Sequence, residues 1–394
     1  MRCVVYPTAK VVVVACLFWC ALFALSMDKA VFAAEPIRIG AVLTTTGWGG
    51  FMGTPMKEAL EALIEDANRK GGVLGRQLEL FIEDDQSNPT NAVVAATKLI
   101  RDRKVAVLLG PTITDSGMAM IPVCEQETTP FLVIGPLVSV LKKWTFLLGP
   151  GDARAAQHYV EYAVKTMHAK RIALVHATDN YGNTAAKVLA KEMGRYPEAS
   201  IVVQEKFELS DTNMVPQMTR IKSANPDLIM LYATGTSGSV VAKNYKQLGL
   251  TVPVLGSAGM AIPEFLKLSG SIAEEGKWVF LGSNMLAAPG LPESDPFRKN
   301  LYDPLKRAIR QKFGESKDVS IFHAGPFDGM RVLVRALKTA GTDNRAALRD
   351  ALEKIRIPDG LVGGFECSPT DHQAAKIDPS VPLIIKNGEW CLLE

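Results

Sequence analysis

A glycine-rich loop and the acidic residues that follow it are the part of this sequence most like a catalytic motif. Gly47, Gly49, Gly50 and Gly53 lie between a predicted strand and a predicted helix, and the next strand ends in Glu83-Asp84-Asp85. A glycine loop followed by an acid is typical of dinucleotide-binding sites, where the loop approaches the pyrophosphate and the acid binds the ribose.

Two details argue against a dinucleotide site. The glycines follow the spacing G-x-G-x-x-x-G instead of G-x-G-x-x-G. Trp48 and Phe51 also stand where the backbone would have to approach a pyrophosphate. Asp84 and Asp85 could form a metal or acid-base pair, but we favour a solvated strand end that caps the next helix.

Other enzyme motifs are missing from the sequence. There is no Gly-Lys-Ser/Thr phosphate loop, and residues 235–239 lack the last glycine of a G-x-S-x-G elbow. The histidines and cysteines do not show the spacing of metal ligands. We therefore expect a protein that is not an enzyme and holds neither a cofactor nor a metal.

The composition is that of a globular protein. The 394 residues include 44 Lys and Arg against 41 Asp and Glu, so the balance argues against a nucleic-acid binder. A hydrophobic content of 47% with 22% charged residues is typical of a folded chain. The length exceeds what one compact core usually organises and suggests two domains.

The first 33 residues are interpreted as a secretory signal peptide. Arg2 and Lys10 precede an apolar run from Val11 to Ser26, and a cleavage site follows near Ala33. One alternative is a membrane anchor, for which the run is short. Another is a lipoprotein signal at Cys16, which follows Lys10 too closely. Cleavage would lower the net charge from +3 to +1.

Three cysteines follow the predicted leader, namely Cys124, Cys367 and Cys391. An exported compartment permits disulfides, and an odd count leaves at least one thiol unpaired within the chain. We expect Cys124 to be a buried free thiol on a helix. Cys367 and Cys391 lie on late predicted strands and could pair.

Strands and helices alternate along the rest of the chain. The pattern begins with a strand at Ile37–Leu43 and a helix that starts at Thr54-Pro55. It restarts after Gly149-Pro150-Gly151, and the chain ends with two strands around an Asn387-Gly388 turn. This order predicts an α/β protein with two doubly wound parallel-sheet lobes, whose ligand sites lie beyond the carboxyl ends of the strands.

A series of short motifs carries a family resemblance. They are Thr45-Thr46-Gly47, Gly53-Thr54-Pro55-Met56, Asn68 to Arg76, Asp84-Asp85, Gly110-Pro111-Thr112, Arg171 to Val175, Tyr181-Gly182, Leu248-Gly249-Leu250, Asp328-Gly329 and Ser368 to His372. In combination they resemble the periplasmic leucine/isoleucine/valine-binding protein family, the solute-binding subunits of branched-chain amino-acid-type ABC transporters. The resemblance spans residues 36–394 and implies a type I periplasmic fold that closes around its ligand.

The resemblance also implies how the chain divides. Hinge crossings near residues 150, 282 and 370 would separate lobe 1, residues 34–150 and 282–369, from lobe 2, residues 151–281 and 370–394. The signal peptide would occupy residues 1–33. We expect a periplasmic monomer that passes a small-molecule ligand to the membrane permease of an ABC transporter.

The family's ligand contacts carry over to named positions of this chain. Hydroxyl and backbone N–H groups of two lobe 1 loops would hold a ligand carboxylate, and aromatic side chains would cover the ligand body. The implied set is Trp48, Phe51, Met52, Thr112, Ile113, Thr114, Leu137, Val138, Ser139, Tyr181, Thr234, Ala258 and Phe322. Helix capping by Thr114 and Ser116, and core packing of the aromatic residues, are the structural alternatives.

Two of these positions depart from the family. Ala258 stands where amino-acid binders carry an acid for the ligand α-ammonium group, and Thr234 stands where an aromatic residue is common. A desolvated ammonium group would lack its partner here. We therefore predict a carboxylate ligand without an α-amino group and with an aromatic or apolar body. If the loop is misaligned, Glu264 or Glu274 could supply the acid.

Three other functions stay open. The chain could bind branched-chain or other amino acids, it could sense a ligand and signal to a receptor, or it could be an exported enzyme. The sequence ends at Glu394 without a transmembrane or kinase segment, which favours uptake over sensing.

Overall fold

The computed structural model describes Met1 and residues 35–136, 142–233, 237–376 and 378–393. The predicted signal peptide and its cleavage site lie outside these residues. The fold given below is that of the compact unit that begins at Ile37. Among the described residues, no helix combines the length and the apolar character needed to cross a membrane.

The first sheet is parallel and has five strands in the order β2-β1-β3-β4-β5. Apart from β2, the strands are almost wholly buried, as expected for strands with helices on both faces. The strands are β1 Ile37–Leu43, β2 Leu78–Asp84, β3 Val107–Gly110, β4 Phe131–Val133 and β5 Thr145–Leu147.

The second sheet has seven strands in the order β14-β13-β10-β9-β8-β6-β7. Strands β6 to β10 are parallel, and β13 and β14 form an antiparallel hairpin around the predicted Asn387-Gly388 turn. The strands are β6 Arg171–Ala177, β7 Ser200–Phe207, β8 Leu228–Tyr232, β9 Val254–Gly256, β10 Val279–Gly282, β13 Val381–Lys386 and β14 Glu389–Leu392. A separate ribbon pairs β11 Arg356–Ile357 with β12 Phe365–Glu366.

Helices cover both faces of each sheet. They are α1 Gly50–Arg69, α2 Pro89–Arg101, α3 Thr114–Gln126, α4 Gly151–Glu161, α5 Asn180–Met193, α6 Val215–Ala224, α7 Ser237–Gln247, α8 Pro263–Glu275, α9 Asp303–Phe313, α10 Ala324–Ala340 and α11 Arg345–Leu352. The first sheet packs between α1, α10 and α11 on one face and α2 and α3 on the other. The second packs between α6, α7 and α8 on one face and α4 and α5 on the other.

This architecture confirms the predicted α/β class with two doubly wound sheets. The division of the chain into lobes at residues 150, 282 and 370 stays a prediction.

The first helix begins earlier than the predicted start at Thr54-Pro55. Its first residue is Gly50, and Pro55 lies inside it. The N–H groups of Gly50 and Gly53 donate to the carbonyl oxygens of Gly47 and Gly49, at 3.2 and 3.1 Å. Gly47 has a φ of 78°, which glycine adopts without strain, so the glycine loop itself leads into the helix.

The three cysteines outside the predicted leader are free thiols. Cys367 lies in the core beneath the first sheet, whereas Cys391 lies on β14 at the edge of the second. The disulfide that the sequence allowed between them is therefore not formed. Cys124 is fully buried on α3, as expected, and burial raises the pKa of its thiol.

Arg345, at the start of α11, connects that helix to the segments that precede β3 and β4 of the first sheet. Its guanidinium group donates to the carbonyl oxygens of Ile100 at 3.1 Å, Val105 at 2.8 Å and Glu127 at 3.2 Å. Bonds from a charged donor contribute more than neutral ones. We expect Arg345→Ala to lower the free energy of unfolding by about 2–3 kcal/mol in a urea titration.

The matched control for this prediction is Arg335→Ala. Arg335 is exposed on α10, so its removal is expected to change the stability by no more than about 0.5 kcal/mol. Equal stability of the two variants would contradict the role given to Arg345.

Candidate functional site

A cavity of about 350 Å³ lies between the two sheets, beyond the carboxyl ends of their strands. Its wall includes residues that lie one or two positions after β3, β4 and β5 in the first sheet and after β6, β9 and β10 in the second. This is where doubly wound sheets bind ligands. Wider grooves on the outer surface, such as that along α1, carry exposed ion pairs including Glu65 with Lys312 at 2.7 Å.

Most of the residues predicted to bind ligand line this cavity. They are Trp48, Met52, Thr112, Ile113, Thr114, Tyr181, Ala258 and Phe322. Phe51 supports the wall from behind, because its ring meets that of Phe322 edge-on with centroids 5.7 Å apart. Leu137, Val138, Ser139 and Thr234 lie outside the described residues. The binding role of the whole set stays a prediction.

The start of α3 provides the polar part of the wall. Ile113 is extended, with φ −120° and ψ 148°, and no side chain caps the helix. Capping by Thr114 and Ser116, the structural alternative, is therefore not observed. The Thr114 hydroxyl has no hydrogen-bond partner among the described residues, although the residue is 6% exposed. An uncapped helix N-terminus beside a hydroxyl group suits an anion.

Three tyrosines form the wall on the side of the second sheet. The rings of Tyr181 and Tyr232 lie 4.8 Å apart, and those of Tyr159 and Tyr232 lie 5.8 Å apart. The Tyr159 hydroxyl donates to the carbonyl oxygen of Gly256, and burial raises the pKa of Tyr159 well above its usual value. Sequence reasoning missed Tyr159 and Tyr232. The position of Tyr232 at the end of β8 was a usable signal.

Three acidic residues on the wall were also missed. The carboxylates of Asp115, Asp179 and Asp378 all line the cavity, and no Lys or Arg appears among the described residues around it. Asp179 caps α5 by accepting a bond from the Gly182 N–H group at 2.8 Å. Burial raises the pKa of Asp179, and the nearby charge of Asp115 acts in the same direction.

The other two acids are partnered as well. Asp115 accepts a hydrogen bond from the Asn180 side chain. Asp378 accepts one from the Ser380 N–H group at 2.9 Å, and His158 lies 3.8 Å from it. Burial would raise the pKa of Asp378, but the nearby His158 and the hydrogen bond from Ser380 outweigh this effect and lower it.

The acids Asp84 and Asp85 do not form the predicted solvated cap of the next helix. Asn88 caps α2, accepting bonds from the N–H groups of Thr90 and Asn91 at 2.8 and 3.4 Å. Asp85 is completely buried. Among the described residues, no group of three or more His, Cys, Asp or Glu side chains is placed to hold a metal ion.

Comparison with known proteins decides the family. Residues 36–376 match the family model described as periplasmic binding protein. The chain belongs to this family. The predicted resemblance is thereby confirmed, and with it a role in solute binding instead of catalysis.

Curated relatives of this periplasmic binding protein are similar over most of their length. It is 25% identical to the Leu/Ile/Val-binding protein BraC3 of Rhizobium johnstonii over 335 residues, which are 78% of this chain and 88% of the relative. It is 24% identical over 341 residues to the leucine-, isoleucine-, valine-, threonine-, and alanine-binding protein of Pseudomonas aeruginosa, covering 84% of this chain and 86% of the relative.

A solved structure confirms the type I fold. An extracellular ligand-binding receptor from Rhodopseudomonas palustris HaA2 matches with a TM-score of 0.81 at 26% identity, covering 91% of this chain and 99% of that one. Periplasmic binding proteins of this type bind small molecules in the periplasm and work with the permeases of ABC transporters.

The hydrogen bond between Asp115 and Asn180 crosses the cavity. Asp115 lies in the first turn of α3, beside the first sheet, and Asn180 begins α5, beside the second. The bond therefore joins the two sides of the cavity.

Proposed function

We propose that this periplasmic binding protein binds a small carboxylate that has an aromatic or apolar body and no α-amino group. We further propose that it delivers the ligand to the permease of an ABC transporter. The observation that carries the proposal is the makeup of the cavity, where an uncapped helix start and the hydroxyls of Thr112 and Thr114 stand beside aromatic rings.

The start of α3 can hold the carboxylate without a basic side chain. Thr112 and Thr114 line the cavity there, and both are almost fully buried. A hydrogen bond to a charged group contributes about 1.5–3 kcal/mol, and a helix N-terminus adds about 0.3–1 kcal/mol. Together these groups can offset the cost of removing a carboxylate from water.

An α-ammonium group would find no acid at the family's ammonium position in the described wall. Ala258 begins a short 3₁₀ helix, Ala258–Met260, and its methyl group lines the cavity. Glu264 and Glu274 are not among the lining residues, and Glu274 accepts a bond from the Asn387 N–H group at 2.7 Å. Asp115, Asp179 and Asp378 line the cavity but already have partners, as described above.

The second candidate is an amino acid, and a specific observation favours it. The wall carries three carboxylates, and an ammonium group could displace Asn180 from Asp115 or compete with Gly182 for Asp179. Two curated relatives are named for leucine, isoleucine and valine. The two candidates differ in whether the ligand needs an amino group.

Calorimetry with a matched set of ligands tests the proposal. We expect benzoate or cyclohexanecarboxylate to bind and raise the melting temperature, whereas leucine, valine and phenylalanine bind at least about 100-fold more weakly, a difference of about 2.7 kcal/mol. Benzamide, which has the shape of benzoate without its charge, is the control for the carboxylate. Tight binding of leucine without binding of either acid would show that the ligand is an amino acid.

The Ala258→Glu variant tests the same proposal by changing the protein instead of the ligand. It places a carboxylate at the family's ammonium position. It should weaken benzoate binding through like charge and leave the benzamide control less affected.

A further inference from the structure

We propose that Asp84 and Asp85 are positioning residues for the loop of residues 44–49. They hold Trp48 and the hydroxyl group of Thr112 in the arrangement that receives the ligand. The chemical class of that ligand rests on the proposed function. The claim that the two acids restrain the loop does not depend on it. Neither acid lines the cavity, so both act through other residues.

Asp84 fixes the middle of the loop. Its Oδ1 accepts bonds from the N–H groups of Thr45 at 2.9 Å and Thr46 at 3.3 Å, and its Oδ2 accepts one from the Thr46 hydroxyl at 2.6 Å. One carboxylate thus satisfies two consecutive backbone donors of an irregular segment. Such donors are otherwise exposed to water and leave a loop free to move.

Asp85 fixes both ends of the loop from beneath. Its Oδ1 accepts bonds from the Thr44 hydroxyl at 2.6 Å and from the Ser87 N–H group at 3.0 Å. Ser87 in turn reaches the loop, since its Oγ accepts a bond from the Gly49 N–H group at 3.0 Å. The buried carboxylate therefore holds Thr44 directly and Gly49 through one serine.

Trp48 lies between the tethered residues Thr46 and Gly49. Its side chain lines the cavity and is 48% exposed. A large ring on a glycine-rich loop has little packing of its own to keep it in place. The bonds to Asp84 and Ser87 restrict the backbone on either side, so the ring stays at the cavity without first being ordered by the ligand.

The same network also contacts the Thr112 hydroxyl. The Thr44 N–H group donates to Thr112 Oγ1 at 2.9 Å. This bond uses one of the two acceptor positions of Oγ1 and leaves the hydroxyl hydrogen for another acceptor, and Thr112 lines the cavity. That hydrogen can be donated to a ligand oxyanion, and a bond to a charged acceptor is stronger than one to a neutral acceptor.

Hydrogen exchange of the ligand-free protein, followed by mass spectrometry, tests the hold on the loop. We expect amides of residues 45–49 to exchange about 10-fold faster in Asp84→Ala and Asp85→Ala, because each variant removes hydrogen bonds that oppose local opening. Asp84→Asn and Asp85→Asn keep an acceptor oxygen and should retain most of the protection.

Asp227→Ala is the matched control. Asp227 accepts bonds from the N–H groups of Lys170 at 2.9 Å and Arg171 at 3.0 Å, and it is not among the residues that line the cavity. Its removal should speed exchange at those two amides and leave residues 45–49 unchanged. Unchanged exchange at residues 45–49 in both alanine variants of the loop anchors would overturn the proposal.

Double-mutant cycles with benzoate as the probe test the link to binding. Asp84→Ala should raise the Kd about 10-fold in the wild-type background and have little effect in a Trp48→Ala background, because the two residues act together. Asp85→Ala should behave in the same way toward Thr112→Val. Full additivity in both cycles, or an unchanged Kd in variants with a loosened loop, would overturn the positioning role.

The two proposals fail in different ways. If the wild type binds neither benzoate nor cyclohexanecarboxylate, the proposed ligand class is wrong, and the cycles are then run with whichever amino acid of the panel binds. The exchange experiment decides the hold on the loop in either case.

Discussion

Alanine at Gly53 or Gly325 is expected to destabilise the protein strongly. A Cβ atom on Gly53 would lie 1.8 Å from the carbonyl oxygen of Thr44, and one on Gly325 would lie 1.8 Å from that of Ile134. Both obstacles are backbone atoms, so no rotamer change relieves the clash. Overpacking of this kind costs about 1–3 kcal/mol and sometimes more, and we expect the upper end here.

Urea unfolding checks this prediction, with Gly290→Ala as the matched control. A Cβ atom on Gly290 meets no atom within 4 Å, and its φ is not positive. That variant should stay within about 0.5 kcal/mol of the wild type. If Gly53→Ala is as stable as Gly290→Ala, the close approach of Gly53 to the Thr44 carbonyl oxygen does not constrain the fold.

These glycines also matter for the cavity. Gly53 lies in the first turns of α1 and Gly325 in the first turn of α10, and Gly182 of α5 approaches the carbonyl oxygen of Ala177 in the same way. Each lets a helix begin directly against a strand end. Helix N-termini are thereby brought to the wall of the cavity, where their partial positive charge can act on an anion.

Local signals in the sequence were sufficient for the overall architecture. The alternation of apolar strands and amphipathic helices predicted two doubly wound sheets, though not the strand β5, because each signal extends over a short stretch of chain. The Asn387-Gly388 turn is an example. Both residues have positive φ, at 54° and 74°, and these two residue types adopt it most readily.

The parts that sequence reasoning missed depend on residues far apart in the chain. Tyr159 and Asp378 meet at the cavity from a helix and a late connecting segment, and nothing in their neighbouring residues indicates this. Asp85 looked like a solvated strand end because its partner Thr44 is 41 positions away. Cys367 and Cys391 seemed able to pair until their two sheets were distinguished.

Thr114→Val is expected to raise the Kd for benzoate by about 10–100-fold, because a hydrogen bond to a charged group contributes about 1.5–3 kcal/mol. The substitution keeps the shape of the side chain and removes the hydroxyl, which has no protein partner among the described residues. The folded protein should therefore lose little stability. The variant should therefore lose affinity for benzoate without losing stability. If Thr114 only supported the fold, stability would fall as well.

Three controls make this prediction specific to the carboxylate. Thr114→Ser keeps the hydroxyl and should retain most of the affinity. Thr97→Val removes a hydroxyl that bonds to the Val93 carbonyl oxygen on α2, and it should leave the Kd unchanged. Benzamide should be affected less than benzoate, since a neutral amide gains less from a donor than a carboxylate does. If Thr114→Val weakens benzoate and benzamide binding equally, the carboxylate does not contact Thr114. The two probes differ in charge, so a contact between Thr114 and the carboxylate should make their losses of affinity differ.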